Sequence, residues 1–518
     1  MKKLGIFALV FVLVLGLTQC KKENTSSSTD EGTKVPITLN VGGGNASRVA
    51  VEGSTGVVTF EDGDVIHVSS NGVYVGTMTY NGTVFSGEIT EPTEGQKLHF
   101  YFLGNKTPEF NSDNTGCSVI ISDQTTELPV ISYAPSRENY QIGKTNYNAT
   151  LLNKCALVKF DVTTSSEAAT CILSMNNKVN IYFINNSFSY SKDGEGMITM
   201  VAGSGEKWAI LLPQPQLTHP GTCSSDGVYI GTSDNVPEIY ENGYLTEGIS
   251  LTVNTPKGSL RSLFTVNANG DQVYFSQGNL QYIGSAATPY WKFADHQWDY
   301  LGTSTGQNSS NPNVDRDLFG YGTSGYYLGF AEYQPWTINW NQGGGDYWPY
   351  NLFDQTGQAD WGYNAIANGG NTENSGWRTM TRQEGSYVFF TRSTASGIRF
   401  AKGKVNGVNG VILLPDNWDA SIYTLNSTNY SGYSGFSNVI TADDWTNILE
   451  ANGAVFLPCA GKRVEASVQN VGDEGNYWSA SYPGWGEGCG MQLGYFIGTE
   501  SGLYLASGNS VRLVHNAE

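Results

Sequence analysis

The chain has 518 residues and a formal net charge of −19, and only 14% of its residues are charged. The negative charge argues against a nucleic-acid partner, because the phosphates would be repelled. The length exceeds what one hydrophobic core supports, so we expect about two to four domains. Apolar and polar residues alternate between Gly, Asn, Ser and Asp clusters, and long charged helical faces are almost absent. This pattern predicts a mainly β fold.

The N-terminus has the pattern of an export signal. Two lysines precede an apolar run at residues 4–17, which is shorter than the ~20 residues that a membrane-spanning helix needs. The run ends in Leu17-Thr18-Gln19-Cys20, which resembles the lipobox of bacterial lipoproteins. The resemblance implies a signal peptide at residues 1–19 and acylation of Cys20, with anchoring in the outer membrane by several acyl chains. The alternative is an ordinary signal with an incidental cysteine.

The remaining chain divides by composition. Residues 20–34 are polar and predict a flexible tether. Strand-like runs, among them residues 35–41, 64–68, 97–102, 117–121, 156–162, 179–183 and 249–253, then fill two predicted domains, residues 35–148 and 149–254. Residues 255–262 read as a linker. Trp208 alone among the 12 tryptophans precedes it, so residues 263–518 are predicted to form a different domain that carries an aromatic recognition surface.

Four segments of the first part carry a resemblance to a known family. They are VTFEDGDVIHV at 58–68, LNKCALVKF at 152–160, WAILLP at 208–213 and PEIYENGY at 237–244. In order and spacing they resemble the fimbrillin-like family of Bacteroidetes (type V pili), whose members build or decorate cell-surface pili. The resemblance implies two tandem β-sandwich subdomains of transthyretin-like topology.

The same resemblance implies a mode of assembly. Family subunits mature by proteolysis after a basic residue that follows the first strand, which frees a groove for another subunit's strand. Strand addition is effective because main-chain hydrogen bonds form along the whole edge. Arg48 occupies the corresponding place in a Gly-rich segment. The resemblance therefore implies other pilin subunits as partners, and an uncut loop arginine is the alternative for Arg48.

Residues 263–518 resemble a second module. The segments that carry the resemblance include VYFSQGNLQY at 273–282, DLFGYGTSG at 317–325, GWRTMTRQE at 376–384, VILLPDNW at 411–418 and SVRLV at 510–514. They are similar to a Bacteroidetes extracellular module with an α+β C-type-lectin-like fold, itself distantly similar to formylglycine-generating enzymes. Together the two resemblances imply a tip pilin, in which a lectin-like domain is displayed on a fimbrillin-like base.

Calcium-dependent sugar binding is not predicted. Lectin-like folds hold Ca²⁺ with a Glu-Pro-Asn or Gln-Pro-Asp triplet and a later Trp-Asn-Asp, because calcium needs several hard oxygens. Gln334-Pro335-Trp336 lacks the third ligand, and Asp416-Asn417-Trp418-Asp419 has the wrong order. A polar turn after a buried strand is the preferred interpretation of the second segment, and Ca²⁺ binding is its alternative.

Metal-free sugar binding would use an aromatic ring against the apolar face of a sugar, with polar side chains for the hydroxyls. The glycine-rich segment 482–507 offers such residues, and alternation predicts that Tyr495 or Phe496 packs into the core. Trp485, between two glycines, is the best candidate for exposure. The predicted ligand-binding residues are Tyr482, Trp485, Glu487, Gln492 and Tyr504.

Six cysteines remain beside Cys20. We predict a disulfide between Cys459 and Cys489, the two in the C-terminal half, whereas the other four are left as either free buried thiols or disulfides. Formylglycine-generating enzymes use a cysteine pair, but a thiol nucleophile needs a nearby cation or histidine, and no histidine lies close in sequence. No nucleophile elbow, phosphate loop or metal-binding histidine pair occurs, so we predict that the protein is not an enzyme.

The predicted function is a surface-anchored pilus tip or adhesin subunit that binds a glycan or a protein through its C-terminal domain. One alternative is a structural pilus anchor or assembly subunit that binds no ligand. The other is an envelope enzyme on the formylglycine-generating scaffold.

Overall fold

The computed structural model describes residues 32–41, 60–303, 306–325, 333–338, 348–484 and 487–517. Several sequence predictions lie outside these residues: the signal peptide, Cys20, nearly all of the tether, Arg48 and Trp485. Within them the chain is mainly β with little helix, which confirms the predicted fold class at that level.

The first large sheet has eight strands in the order β10-β1-β4-β3-β2-β5-β9-β11. Here β1 pairs in parallel with β10 and antiparallel with β4, and its alternate residues Ile37 and Leu39 are buried in the core. The alternation of the sequence therefore matches the period-two geometry of a strand with one buried face. The strands of this part are β1 (Lys34–Val41), β2 (Val65–Ser70), β3 (Val73–Tyr80), β4 (Phe85–Thr90), β5 (Lys97–Leu103), β6 (Glu109–Phe110), β7 (Gly116–Ile120), β8 (Asp123–Gln124), β9 (Ile131–Asn139), β10 (Asn146–Ala149) and β11 (Leu152–Asn153).

The second large sheet has the order β17-β12-β20-β19-β18-β13-β16-β8. Its longest strand, β20, has 13 residues and pairs in parallel with β12 and antiparallel with β19. The strands are β12 (Ala156–Thr164), β13 (Thr170–Ile172), β14 (Lys178–Tyr182), β15 (Ser187–Ser191), β16 (Ile198–Met200), β17 (Gly205–Leu211), β18 (Gly221–Ser224), β19 (Tyr229–Ser233) and β20 (Tyr244–Pro256).

The regions of the two large sheets are joined by a common sheet and a common core. A four-stranded sheet, β15-β14-β7-β6, takes strands from both, and one cluster of buried apolar side chains runs from Ile37 to Leu251. The predicted boundary at residues 148/149 falls within β10, and β11 beyond it still pairs with β9 of the first sheet. The arrangement as two separate sandwiches stays a prediction.

The C-terminal part, from β21 onward, combines several small sheets with short helices. Its first and last strands come together, because β22 pairs with β35, which in turn pairs with β25. The strands are β21 (Ser259–Thr265), β22 (Gln272–Ser276), β23 (Leu280–Ile283), β24 (Tyr290–Phe293), β25 (Trp377–Thr379), β26 (Phe400–Val405), β27 (Val408–Leu413), β28 (Asn438–Ile440), β29 (Val455–Pro458), β30 (Lys462–Val464), β31 (Ser467–Gln469), β32 (Glu474–Trp478), β33 (Glu487–Gly494), β34 (Gly498–Tyr504) and β35 (Leu513–Asn516). The helices are a 3₁₀ turn at Trp361–Tyr363, α1 (Arg382–Phe390), α2 (Ala442–Asp444) and a π-helical segment at Trp445–Glu450.

The predicted linker at residues 255–262 is not an extended connection. Only Lys257 and Gly258 separate β20 from β21, and the Lys257 amide donates to the Val228 carbonyl. A Cβ at Gly258 would overlap the Asn368 carbonyl, so the backbone here is packed against the C-terminal part. Composition alone could not show this packing, because a short polar segment can have the same composition whether its backbone is exposed or packed against another part of the protein.

The tryptophans of the C-terminal part build its core rather than a surface. Eight of those in the described residues are buried: Trp291, Trp298, Trp348, Trp361, Trp377, Trp418, Trp445 and Trp478. Several satisfy their indole N–H with a backbone carbonyl, as Trp361 does with Thr323 and Trp478 does with Phe319. A tryptophan buries a large apolar area once its N–H is paired, so the expectation that these residues form a recognition surface is wrong for most of them.

Helix α1 begins with a capping box. The Thr381 hydroxyl accepts from the Glu384 amide, and the Glu384 carboxylate accepts from the Thr381 amide. This satisfies N–H groups at the start of the helix that have no partner within it. Because Arg378 also holds Glu384, the start of α1 is fixed to β25.

No helix among the described residues is long and apolar enough to cross a membrane.

Candidate functional site

Three of the predicted ligand-binding residues, Glu487, Gln492 and Tyr504, lie on the hairpin of β33 and β34. Glu487 lies opposite Tyr504 at the open end, whereas Gln492 lies opposite Gly498 near the tip. Gln492 lies five positions after Glu487 on the strand, which corresponds to about 17 Å. Tyr482 is half-buried, with its ring 6.4 Å from that of Tyr321. The structure therefore places Gln492 at the opposite end of the hairpin from Glu487 and Tyr504.

An exposed aromatic surface lies at the tip of the same hairpin. The exposed fractions are 43% for Tyr495 and 40% for Phe496, so the expectation that one of them packs into the core is wrong. They occupy the turn between β33 and β34, where the two-residue alternation of a strand no longer applies. A neighbouring loop adds Tyr433, which is 83% exposed. We name Tyr430, Tyr433, Phe436, Tyr495 and Phe496 the aromatic tip.

Ring contacts join the two loops of the aromatic tip. The Tyr433 and Phe496 ring centroids are 5.8 Å apart, and those of Phe436 and Tyr495 are 5.2 Å apart. Both separations lie in the range preferred by interacting aromatic pairs. The backbones are also joined, since the Ile497 amide donates to the Ser431 carbonyl at 2.9 Å. The rings are therefore held as one surface.

A buried lysine positions this surface from below. Lys402 lies in β26 with 2% of its surface exposed, and its Nζ donates to the Tyr495 carbonyl at 2.6 Å and to Ser434 Oγ at 3.1 Å. It also donates to the Gly432 carbonyl and lies 5.7 Å from the centroid of the Tyr430 ring. Burial lowers the pKa of Lys402, because removal from water disfavours the ammonium. One charged group thus ties both loops to the sheet.

The loop of the aromatic tip has the composition of a recognition loop. Residues 426–438 read NSTNYSGYSGFSN and contain no charged residue. Tyrosine supplies contact area at low entropic cost, and Ser, Gly and Asn supply adaptable hydrogen bonds, which is the chemistry of antibody binding loops. Our sequence reasoning missed this segment, although its composition was a readable signal.

A second concave feature lies beside the start of α1. It is a cleft of about 530 Å³ whose lining includes Phe353, Arg378, Glu384 and Asn516. Arg378 pairs with Glu384 through two bonds of 2.9 and 2.7 Å, and its Nε donates to Asn516 Oδ1 at 2.8 Å. Burial opposes the charge of Glu384, but the Arg378 bonds outweigh it and the pKa of Glu384 is lowered. Phe353 is 55% exposed, but the charged groups of the cleft are largely engaged with one another.

In the segment 416–419, the alternative Ca²⁺ site, protein groups bind the Asp416 carboxylate. Asp416 Oδ1 accepts from Arg392, and Oδ2 accepts from the amide and hydroxyl of Thr265 and from Gln272. Trp418 is buried. Among the described residues there is no group of three or more His, Cys, Asp or Glu side chains arranged to hold a metal. Asp416 therefore acts as a structural bridge between β21 and the region after α1.

The geometry does not fit the predicted Cys459–Cys489 disulfide. Cys459 Sγ donates to the carbonyl of Leu493 at 3.7 Å. Leu493 lies four residues beyond Cys489 on β33, or about 13 Å along the strand, whereas a disulfide needs Cα atoms within ~7 Å. Burial raises the pKa of Cys459 to about 12, so its thiol is not a poised nucleophile either.

The chain matches no protein-family model and no curated protein in sequence. Three solved structures show a distant likeness. A fimbrial protein from Bacteroides ovatus ATCC 8483 is 10% identical with a TM-score of 0.23, over 93% of this chain and 99% of that one. A candidate cell adhesion protein from Bacteroides uniformis ATCC 8492 is 11% identical with a TM-score of 0.28, over 44% of this chain and 98% of that one.

The third is the fimbrial anchor protein Mfa2 from Porphyromonas gingivalis, 10% identical with a TM-score of 0.21, over 38% of this chain and 80% of that one. Because the TM-scores are far below 0.5, the function proposed below is argued from residues of this chain.

Proposed function

We propose that this chain is a surface-displayed adhesive pilus subunit that binds a neutral saccharide through the aromatic tip. The observation that carries the proposal is the exposure of Tyr433, Tyr495 and Phe496 on loops fixed by Lys402. Contiguous exposed aromatic rings are uncommon on a soluble surface without a binding role. Rings held in place before binding lose little entropy when a ligand stacks on them.

The chemistry of the aromatic tip favours an uncharged sugar. Its loop, residues 426–438, carries no charge, and the chain as a whole carries −19, so a polyanionic glycan would be repelled. Sugar C–H groups pack on the negative face of an aromatic ring, and the neighbouring Ser and Asn side chains offer donors and acceptors for hydroxyls.

A glycan array tests this proposal with the full chain and two single variants. We expect a selective hit that Tyr433→Ala reduces at least tenfold. Tyr240→Ala is the matched control, because Tyr240 is 61% exposed but lies between β19 and β20, outside the C-terminal part. Trp485→Ala removes the residue predicted from sequence and tests that prediction on the same array. Equal binding by Tyr433→Ala and the wild type would reject the aromatic tip as the site.

If the protein binds no glycan on the array, two other functions are favoured. Binding to host matrix proteins without glycan binding would make the ligand a protein. Absence of both, together with shorter or fewer fibres on deletion of the gene, would favour the structural anchor that binds no ligand. Intact fibres that no longer adhere would support the adhesive role.

We propose further that the subunit assembles by strand addition after cleavage at Arg48. Support comes from β1, which lies between β10 and β4 and contributes Ile37 and Leu39 to the core. Loss of β1 would leave two strand edges and an apolar groove that an alternating strand of another subunit fits. Limited trypsin digestion should cut at Arg48 and leave the rest folded, and Arg48→Gln should block that cut. Resistance of the Arg48 bond while other loops are cut would reject the idea.

Display at the cell surface rests on the N-terminal signal. We propose that Cys20 is acylated and holds the protein in the outer membrane. Metabolic labelling with a fatty-acid analogue should mark the wild type and not Cys20→Ala. Labelling of both proteins alike would contradict this anchor.

A further inference from the structure

Two cysteines that the sequence left unassigned lie directly opposite each other. Cys171 in β13 and Cys223 in β18 are register partners of an antiparallel pair. The residues two positions away on each side are hydrogen-bonded, since the Leu173 amide donates to the Gly221 carbonyl and the Ser225 amide donates to the Ala169 carbonyl. Bonded and non-bonded pairs alternate along an antiparallel ladder. The cysteines therefore form a hydrogen-bonded pair, whose Cα atoms are ~5.5 Å apart in such a ladder. That separation is within the range of disulfides.

The side chains also point to the same face of the sheet. Residues opposite each other in an antiparallel pair project together, so the two thiols lie on the same face of the sheet. Cys171 Sγ also lies 3.4 Å from the hydroxyl of Thr199 on the next strand. Cys171 is fully buried and Cys223 is half-buried, so a reagent reaches Cys223 first. No other pair among the described cysteines shares a register position.

We propose that Cys171 and Cys223 form an intrachain disulfide under oxidising conditions. The inference is independent of the adhesive role and of the acylation of Cys20. It replaces the Cys459–Cys489 pairing predicted from sequence.

The chemistry is a thiol–disulfide exchange in which a small disulfide such as oxidised glutathione is the oxidant. The Cys223 thiolate attacks one sulfur of the oxidant, forms a mixed disulfide and expels one glutathione thiolate. The Cys171 thiolate then attacks the Cys223 sulfur, which closes the bridge and releases the second thiolate. Two protein thiols are oxidised and one glutathione disulfide is reduced to two thiols.

The bridge would strengthen a part of the sheet that contacts the C-terminal part. Strand β13 has only three residues, so few ladder bonds hold it. The β18–β19 hairpin reaches the C-terminal part, where the Tyr229 and His515 ring centroids are 5.8 Å apart. A bridge would also close the segment 172–222 into a loop. A pulling force applied between the two chain termini could then not extend this segment.

Peptide mapping of the full chain tests the proposal. The reduced protein is equilibrated in a glutathione redox buffer, free thiols are alkylated, and trypsin cuts without reduction. Cys171 falls in the tryptic peptide 160–178 and Cys223 in the peptide 208–257, each as its single cysteine. We expect these peptides linked, with the mass of the pair less two hydrogens. Recovery of both peptides separately and alkylated would overturn the proposal, as would a link between other cysteines in their place.

Stability measurements give a second readout. For a closed loop of this length the chain-entropy model predicts that reduction raises the unfolding equilibrium constant about a thousandfold. The effect of reductant should be present in the wild type and in Cys489→Ser but absent in a Cys171→Ser/Cys223→Ser double variant. Comparing each protein with and without reductant cancels the intrinsic cost of the substitutions. A reductant effect of equal size in all three proteins would refute the assignment, and failure of the double variant to fold would leave the peptide map as the deciding result.

Discussion

Replacing Lys402 by Met is expected to separate the two loops of the aromatic tip while the C-terminal part stays folded. Methionine keeps most of the side-chain volume in the buried position but removes the three bonds to Gly432, Ser434 and Tyr495. A hydrogen bond to a charged group contributes ~1.5–3 kcal/mol, and removing the buried ammonium also removes its desolvation cost, which leaves a net loss of about 1 kcal/mol for each bond. The free energy of unfolding should therefore fall by about 2–3 kcal/mol, which is less than the ~5–15 kcal/mol that keeps a typical domain folded.

The assay combines denaturant unfolding with hydrogen exchange and ligand binding. Exchange of the Ile497 and Ser434 amides, which join the two loops, should become faster in Lys402→Met. Affinity for the saccharide found on the array should fall at least tenfold, because the rings are no longer fixed before binding. Lys404→Met is the matched control, since it removes the same charge two residues further along β26. Unchanged amide exchange in Lys402→Met, or equal losses in both variants, would refute the role assigned to Lys402.

Three further predictions concern stability. Thr381→Ala removes the capping box with Glu384 and should lower the free energy of unfolding by about 1 kcal/mol in thermal melts, whereas Thr381→Ser should retain it. Burial raises the pKa of Asp317 from 3.8 to about 6, because the folded protein favours the protonated carboxyl. The free energy of unfolding that this residue contributes is therefore fully present below pH ~4 and is lost as pH rises through about 6. Unfolding free energy should fall by about 3 kcal/mol over that window, and Asp317→Asn should show no such fall; the same pH slope in both proteins would contradict this. Gly231→Ala should destabilise the second sheet by at least ~2 kcal/mol, because its Cβ would overlap the Thr252 carbonyl. A melting temperature equal to that of the wild type would show that the backbone relaxes.

Local patterns predicted many strands well. Alternation around Ile37 and Leu39 marked β1, and the apolar runs near residues 97–102 and 156–162 correspond to β5 and β12. These succeed because a strand with one buried face must repeat every two residues. The same rule failed at Tyr495 and Phe496, since a hairpin turn interrupts the repeat and the sequence does not mark where the turn falls.

Only part of the candidate site could be predicted from the sequence. The sequence directed attention to the β33–β34 hairpin, but it favoured the open end with Glu487 and Tyr504 rather than the tip. The loop with Tyr430 and Tyr433 lies more than 60 positions earlier in the chain, and only the fold places it beside Tyr495. Lys402 could not be recognised either, because a lysine in a strand reads as solvent-exposed until its three acceptors are known.

By itself the sequence determined the mainly β fold class, the negative net charge and the change of composition after residue 254, and it predicts an export signal, since each depends on residue types and short-range order. The tertiary structure decided which cysteines meet, which aromatic residues are exposed and where the two sheet regions join. Cys171 and Cys223 are register partners, whereas Cys459 contacts Leu493, four residues beyond Cys489 on β33. Contacts between residues far apart in the chain depend on strand order and register, and these are set by the packing of the whole sheet rather than by any local segment.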